Sequence, residues 1–181
     1  KTKHDYMKTT KEIPEPQTSR GPQVLPYGRQ SIHKADIDAV IAVLEGDWLT
    51  TGPAVNAFEN ALCNTTQANY CVACSSGTAA LHLSLMAANI GPGDSVIVPA
   101  NTFLATANVV RLVGAEVIFA DVDPNSGLML TEHAEEAISR AETQNLKALI
   151  PVYFAGQCSQ PAALRELANK HNLLIIADAC H

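Results

Sequence analysis

Aromatic residues and charge are both scarce in this sequence: Phe, Trp and Tyr make up 5% of its 181 residues and Asp, Glu, Lys and Arg 17%. So little charge excludes the compositions that keep a chain disordered, and 47% hydrophobic residues are enough to build a core. Basic residues are the scarcer sign. The net charge of -6 argues against a nucleic-acid partner, because phosphate backbones are bound by surplus Lys and Arg. Long apolar runs are missing too: the richest, Leu146 to Phe154, is about half the length that spans a bilayer, so no membrane partner is expected. Lys1 to Gly21 hold no apolar stretch that would serve as a secretory signal, and a cytoplasmic location is the expectation. Nor is there a disulfide pattern, since the five cysteines are odd in number and irregularly spaced.

Cys71 and Cys74 form a C-x-x-C pair, but no second pair or histidines at ligand spacing accompany it. No metal site is expected. Both lie in the apolar run Tyr70 to Cys74, where small buried thiols are ordinary.

Residues 1–24 mix Lys, Thr, Pro, Gln and Ser without periodicity and read as a flexible tail, leaving 25–181 for a single α/β domain. From Lys34 to Glu45, Ile37, Val40, Ile41 and Leu44 recur at helical spacing, and Gly46 closes the helix. Pro53 opens a second helix whose buried face is Val55, Phe58 and Leu62. Then strands alternate with helices. The strands are expected over Tyr70–Cys74, Ser95–Pro99, Glu116–Ala120, Ala148–Phe154 and Leu173–Ala177. The helices between them are expected over Thr78–Asn89, Thr102–Val113, Thr131–Thr143 and Gln160–His171. This alternation predicts a mostly parallel sheet with helices on both faces. Val96 to Val98 and Leu173 to Ile176 read as strands buried on both sides.

Functional residues in such sheets collect at the carboxyl ends of the strands. There the sequence places Ser75-Ser76-Gly77-Thr78, Asn101-Thr102-Phe103, Ala155-Gly156-Gln157 and Asp178-Ala179-Cys180-His181. The first string suits a phosphate, with free N–H groups at a helix start and a glycine for close approach, though an ordinary N-cap needs the same residues. Asp178 ends an apolar strand and needs a partner. A protonated pyridine nitrogen, a magnesium ion and a helix cap are equal candidates. Phe103 could stack on a flat cofactor or belong to the core. His181 is close enough to Asp178 to share a ligand, but a lone histidine is more often structural.

The strings Ser75-Ser76-Gly77-Thr78-Ala79-Ala80-Leu81, Thr102-Phe103-Leu104-Ala105-Thr106-Ala107-Asn108 and Asp178-Ala179-Cys180-His181 together resemble the DegT/StrS family of sugar-nucleotide aminotransferases. The similarity runs from about Tyr27 to His181. Trp48-Leu49-Thr50-Thr51-Gly52-Pro53 and Val152 to Gln157 look closest to the UDP-4-amino-4,6-dideoxy-N-acetyl-β-L-altrosamine transaminases of pseudaminic acid synthesis.

The resemblance implies the large domain of fold-type-I pyridoxal-phosphate enzymes. It implies that Ser76, Gly77 and Thr78 hold the cofactor phosphate, Phe103 stacks on the ring, Asp178 pairs with the ring nitrogen and His181 lies near the phenolic oxygen. Tyr27, Asp47, Trp48, Leu49 and Thr50, with Gly77, would contact the sugar nucleotide. The implied reaction moves an amino group, from glutamate, to the C4 ketone of a UDP-4-keto-6-deoxy-N-acetyl sugar, in a homodimer. No lysine here, Lys147 and Lys170 included, matches the family's Schiff-base motif, which is expected past His181. No catalytic residue is therefore expected within the chain, which reads as an inactive N-terminal fragment. Two alternatives stay open: a pyridoxamine-dependent sugar dehydratase on the same scaffold, and a non-catalytic binding or scaffold protein.

Overall fold

The computed structural model describes residues 30–141, 145–158 and 160–180. Tyr27, His181 and the expected tail lie outside the described residues. The chain divides into two compact units, Lys1–Ala54 and Val55–His181.

The first unit holds α1 (Lys34–Leu44), entered through a bond from the His33 N–H to Asp36 Oδ2 at 2.7 Å. Lys34 and Asp38 pair one turn apart at 2.7 Å, an exposed contact worth about 0.3–0.5 kcal/mol. The apolar stripe of Ile37, Val40, Ile41 and Leu44 is present but exposed, and α1 buries no residue.

In the second unit, four parallel strands form one sheet in the order β2-β1-β3-β4. They are β1 (Asp94–Pro99), β2 (Glu116–Ala120), β3 (Asn145–Leu149) and β4 (Leu174–Ile175). Parallel neighbours require crossovers, and α4 (Leu104–Leu112), α5 (Thr131–Arg140) and α6 (Pro161–Lys170) supply them in turn. Helix α2 (Pro53–Thr66), which begins at the unit boundary, and α3 (Gly77–Ala87) precede the sheet.

The alternation of side chains along β1 sorts the core into two layers. Ile97 joins Ile118, Met129, Leu149 and Leu164 on one face, whereas Val96 and Val98 join Leu85, Val109 and Ile150 on the other. Val96, Ile97 and Val98 are fully buried, as a strand covered on both sides must be. Each such side chain contributes about 1.5–3 kcal/mol by burial. The exposed Arg111–Glu116 pair at 2.6 Å contributes at most about 1 kcal/mol, so apolar packing carries the fold.

Several expectations need correction. Tyr70–Cys74 joins no ladder among the described residues, and Tyr70 and Val72 are exposed. Cys71 is half-buried and Cys74 exposed rather than buried. On α2, Val55 and Phe58 are likewise exposed, whereas Leu62 of the same face is half-buried. The third strand lies earlier than expected, ending at Leu149, because Pro151 has no N–H to continue the ladder. Phe154 starts a 3-10 turn instead, with Ala155 and Gly156 at positive φ. The last strand shortens to Leu174–Ile175 at the sheet's edge, which leaves Leu174 half-exposed. Helix α5 ends at Arg140, short of Thr143.

Gly114 ends α4 at φ +83°, where a Cβ would stand 2.9 Å from Pro92 Cγ. Gly114→Ala is expected to destabilise the fold by about 1–3 kcal/mol, read as a lower denaturant midpoint at unchanged slope.

Candidate functional site

Beyond the carboxyl end of the sheet, the chain turns of three elements converge on Asp178. Its backbone is locked against the segment after β3: the Asp178 N–H donates to Pro151 O, and the Tyr153 N–H to Asp178 O, both at 2.9 Å. A parallel bridge to Val152 continues the sheet's direction past Pro151. The side chain is 6% exposed.

Its partners among the described residues are neutral. Thr106 Oγ1 donates to Oδ2 at 2.7 Å, and the Cys180 N–H reaches Oδ1 at 3.3 Å. Among the described residues no cation lies within ion-pair distance of it. A buried carboxylate held this way has hydrogen bonds but no counter-charge among the described residues, and a cationic ligand group would supply one. No group of three His, Cys, Asp or Glu that could hold a metal ion occurs among the described residues.

Thr106 lies in the first turn of α4 and is fully buried. Its oxygen is 2.6 Å from Thr102 Oγ1. Cys180 sits on the other side of the carboxylate. Its thiol is pushed up to about 11 by hydrogen bonding to Asp178 first, then by burial and by the same negative charge.

Helix α3 starts here as well. Ser76 is its N-cap and accepts from the Ala79 N–H at 3.2 Å, as the cap reading requires. The N–H groups of Gly77 and Thr78 have no acceptor among the described residues, as expected of a first helical turn, and they remain available to an anion. A Cβ on Gly77 would lie 2.5 Å from Cys180 Sγ, so glycine lets this helix start approach the segment after Asp178 with the thiol in place. Gly77→Ala is expected to turn the thiol away from Asp178. The measurement is Cys180 alkylation against pH, whose midpoint falls from about 11 toward 9.0.

Phe103 is the N-cap residue of α4 and 75% exposed, so it is not a core side chain. Asn101 turns away to donate to Gly127 O at 3.1 Å, holding the loop after β2. Ser76, Gly77, Thr78, Phe103 and Asp178 thus share one end of the second unit. Sequence reasoning placed Thr102 and Cys180 at strand ends and Thr106 in a family-like string but gave none of the three a role. The available signal for the threonine pair was its i, i+4 spacing within the helix expected from Thr102, although α4 begins at Leu104.

In the first unit Asp47, Trp48, Leu49 and Thr50 form a tight exposed loop. Gly52 approaches so near that a Cβ would stand 2.8 Å from Trp48 Cβ. Trp48 and Leu49 are each about two-thirds exposed, at 64% and 67%.

Residues 30–181 match the family model described as the DegT/DnrJ/EryC1/StrS aminotransferase family. Three solved structures illustrate the likeness. A DegT DnrJ EryC1 StrS aminotransferase from Brucella abortus is 40% identical, with a TM-score of 0.71 over 79% of this chain and 38% of its own. DesV from S. venezuelae, solved in complex with a ketimine intermediate, is 36% identical, with a TM-score of 0.74 over 80% and 38%. NtdA from Bacillus subtilis with bound cofactor PMP is also 36% identical, with a TM-score of 0.73 over 80% and 32%. The chain therefore spans well under half the length of the structures it matches. The α/β architecture, with its parallel sheet between helices, is theirs.

Proposed function

The chain belongs to the DegT/DnrJ/EryC1/StrS aminotransferase family, and from that premise we propose that the whole protein is a pyridoxal-phosphate-dependent sugar aminotransferase. It moves an amino group, from glutamate, to the C4 ketone of a UDP-4-keto-6-deoxy-N-acetyl sugar, in pseudaminic acid or related nucleotide-sugar biosynthesis. The observation that carries this reading is Asp178: a buried carboxylate with neutral hydrogen-bond donors and no described counter-charge, close to the anion-ready start of α3.

These residues fit the cofactor. Ser76, Gly77 and Thr78 hold its phosphate with free backbone N–H groups and hydroxyls. Phe103, exposed beside Asp178's partner helix, covers the ring face. Asp178 would keep a proton on the ring nitrogen by ion pairing, and the resemblance assigns His181, outside the described residues, to the phenolic oxygen. Bound pyridoxal phosphate supplies an electron sink for the pair released when a C–H bond beside nitrogen is broken. No lysine of this chain is assigned the covalent role.

The resemblance assigns Tyr27, Asp47, Trp48, Leu49 and Thr50, and separately Gly77, to the sugar nucleotide; the exposed Trp48 and Leu49 offer apolar area for a base or sugar. Residues 25–181 belong to the cofactor-binding domain. The whole protein is a cytoplasmic homodimer. Its exposed apolar stripes on α1 and α2 suit a partner surface, and no described helix is long and apolar enough to cross a membrane.

The test is the absorbance of the purified whole protein, followed by borohydride reduction, peptide mapping and an amino-transfer assay with glutamate and the keto sugar. A cofactor band, one labelled lysine and aminated sugar are the expected results. Pyridoxamine binding with no labelled lysine selects the dehydratase reading instead. Absence of any cofactor binding removes the enzyme reading.

A further inference from the structure

The feature left unexplained is a buried hydroxyl. Thr106 is fully buried in a helix whose neighbouring inward positions, Val109 and Val110, are aliphatic. Valine has nearly the same shape and would bury no polar atom, so the hydroxyl has a cost that its hydrogen bonds must offset.

The direction of those bonds follows from the partners. An ionised carboxylate only accepts, so Thr106 donates to Asp178 Oδ2 at 2.7 Å. Its proton thus committed, Thr106 accepts from Thr102 across 2.6 Å. The two hydroxyls form a short polarised chain whose positive end faces the carboxylate, and each bond strengthens the other. Oδ1 is held less firmly, by the Cys180 N–H at 3.3 Å. The Cys180 thiol adds a bond to the same carboxylate, but a thiol is a weak donor, so the 2.7 Å bond from Thr106 is the strongest side-chain restraint on its rotation.

We propose that Thr106 is a positioning residue: its hydroxyl, oriented by Thr102, fixes the Asp178 carboxylate in the rotamer that meets a protonated ring nitrogen. This rests on Asp178 being the ring partner, as proposed above. Thr106 acts only through Asp178 and touches no cofactor atom itself. Its methyl group packs in the core and has no part in the effect.

Binding of pyridoxamine phosphate to the whole apo-protein tests this. That probe carries an amine where pyridoxal phosphate has its aldehyde, so it forms no imine with the protein and its affinity reads the non-covalent contacts alone. Thr106→Val is expected to weaken binding about tenfold, the effect of one hydrogen bond to a charged group. Thr106→Ser, which keeps the hydroxyl and loses the methyl, stays within about threefold of wild type. Asp178→Ala weakens binding more than either, and adding Thr106→Val to it changes nothing further, because the threonine then has nothing to position.

The proposal fails if Thr106→Val binds like wild type while Asp178→Ala is weakened; the ring-partner reading then survives alone. It fails equally if Thr106→Ser is as weak as Thr106→Val, which would assign the effect to packing. Wild-type affinity in Asp178→Ala overturns both readings. Should Thr106→Val not fold, half-buried Thr102→Val carries the test through the outer bond. A loss of about threefold is expected, and none at all counts against the chain of hydroxyls.

Discussion

Asp178→Asn in the whole protein is expected to lower amino-transfer turnover by at least about a hundredfold, the scale on which removal of one preorganised electrostatic group is felt. The carboxylate is buried and anchored through its own backbone on both sides, so the amide would occupy the same place. It would not occupy it with the same chemistry. A neutral amide cannot stabilise a positive charge at the ring nitrogen, and an unprotonated ring is a poor acceptor of carbanion electrons. The amide NH₂ also turns one former acceptor into a donor, which faces either Thr106 Oγ1 or the ring. Steady-state kinetics with glutamate and the keto sugar measure the loss. Turnover within a few-fold of wild type would mean that Asp178 is not the ring partner, whatever its burial.

Cys180 should show the second large effect, and it can be read without cofactor or substrate. Its thiol is raised from 9.0 to about 11, chiefly by its hydrogen bond to Asp178. At pH 8 such a shift lowers the thiolate fraction about a hundredfold. The more basic thiolate is the better nucleophile, which restores somewhat under tenfold, so alkylation by iodoacetamide is about tenfold slower than for an unperturbed cysteine. Asp178→Ala removes the largest cause and should return most of that rate. Mass spectrometry of the Cys180 peptide after timed labelling follows both.

The same shift bears on stability. Because the folded-state value lies above the unfolded one, the unfolded chain gives up its proton first as pH rises. The contribution is whole below about 9 and is lost as pH climbs through about 11. A thiol so largely exposed contributes little, and the reaction rate is the better measurement. An alkylation rate at Cys180 equal to that of free cysteine at pH 8 would show that the thiol does not face the carboxylate.

Much of this architecture was legible in one dimension because its causes are local. Helical spacing sufficed for α1 and α2, and uninterrupted apolar runs for β1; Ser76 announced the start of α3, and strand ends pointed to Gly77, Phe103 and Asp178. What the sequence could not disclose depends on partners far along the chain. Tyr70 to Cys74 has the residues of a strand, but a strand exists only as a ladder, and the described residues offer it none. The apolar stripe of α1 and the buried face expected of α2 had the right spacing, yet periodicity says which side is apolar and not what covers it.

The site divides along the same line. That Asp178 needs a partner follows from an acid at the end of an apolar strand, as a matter of solvation. That its donor is Thr106 depends on α4 and the post-β4 turn meeting across 72 residues. The close approach of Gly77 to Cys180 is equally a product of two elements packed on one sheet end. Residue type and spacing determined which groups were available, because propensity and solvation act locally. Only the packed structure decided which of them touch, because hydrogen bonds act over about 3 Å, and nothing in a linear sequence measures that distance.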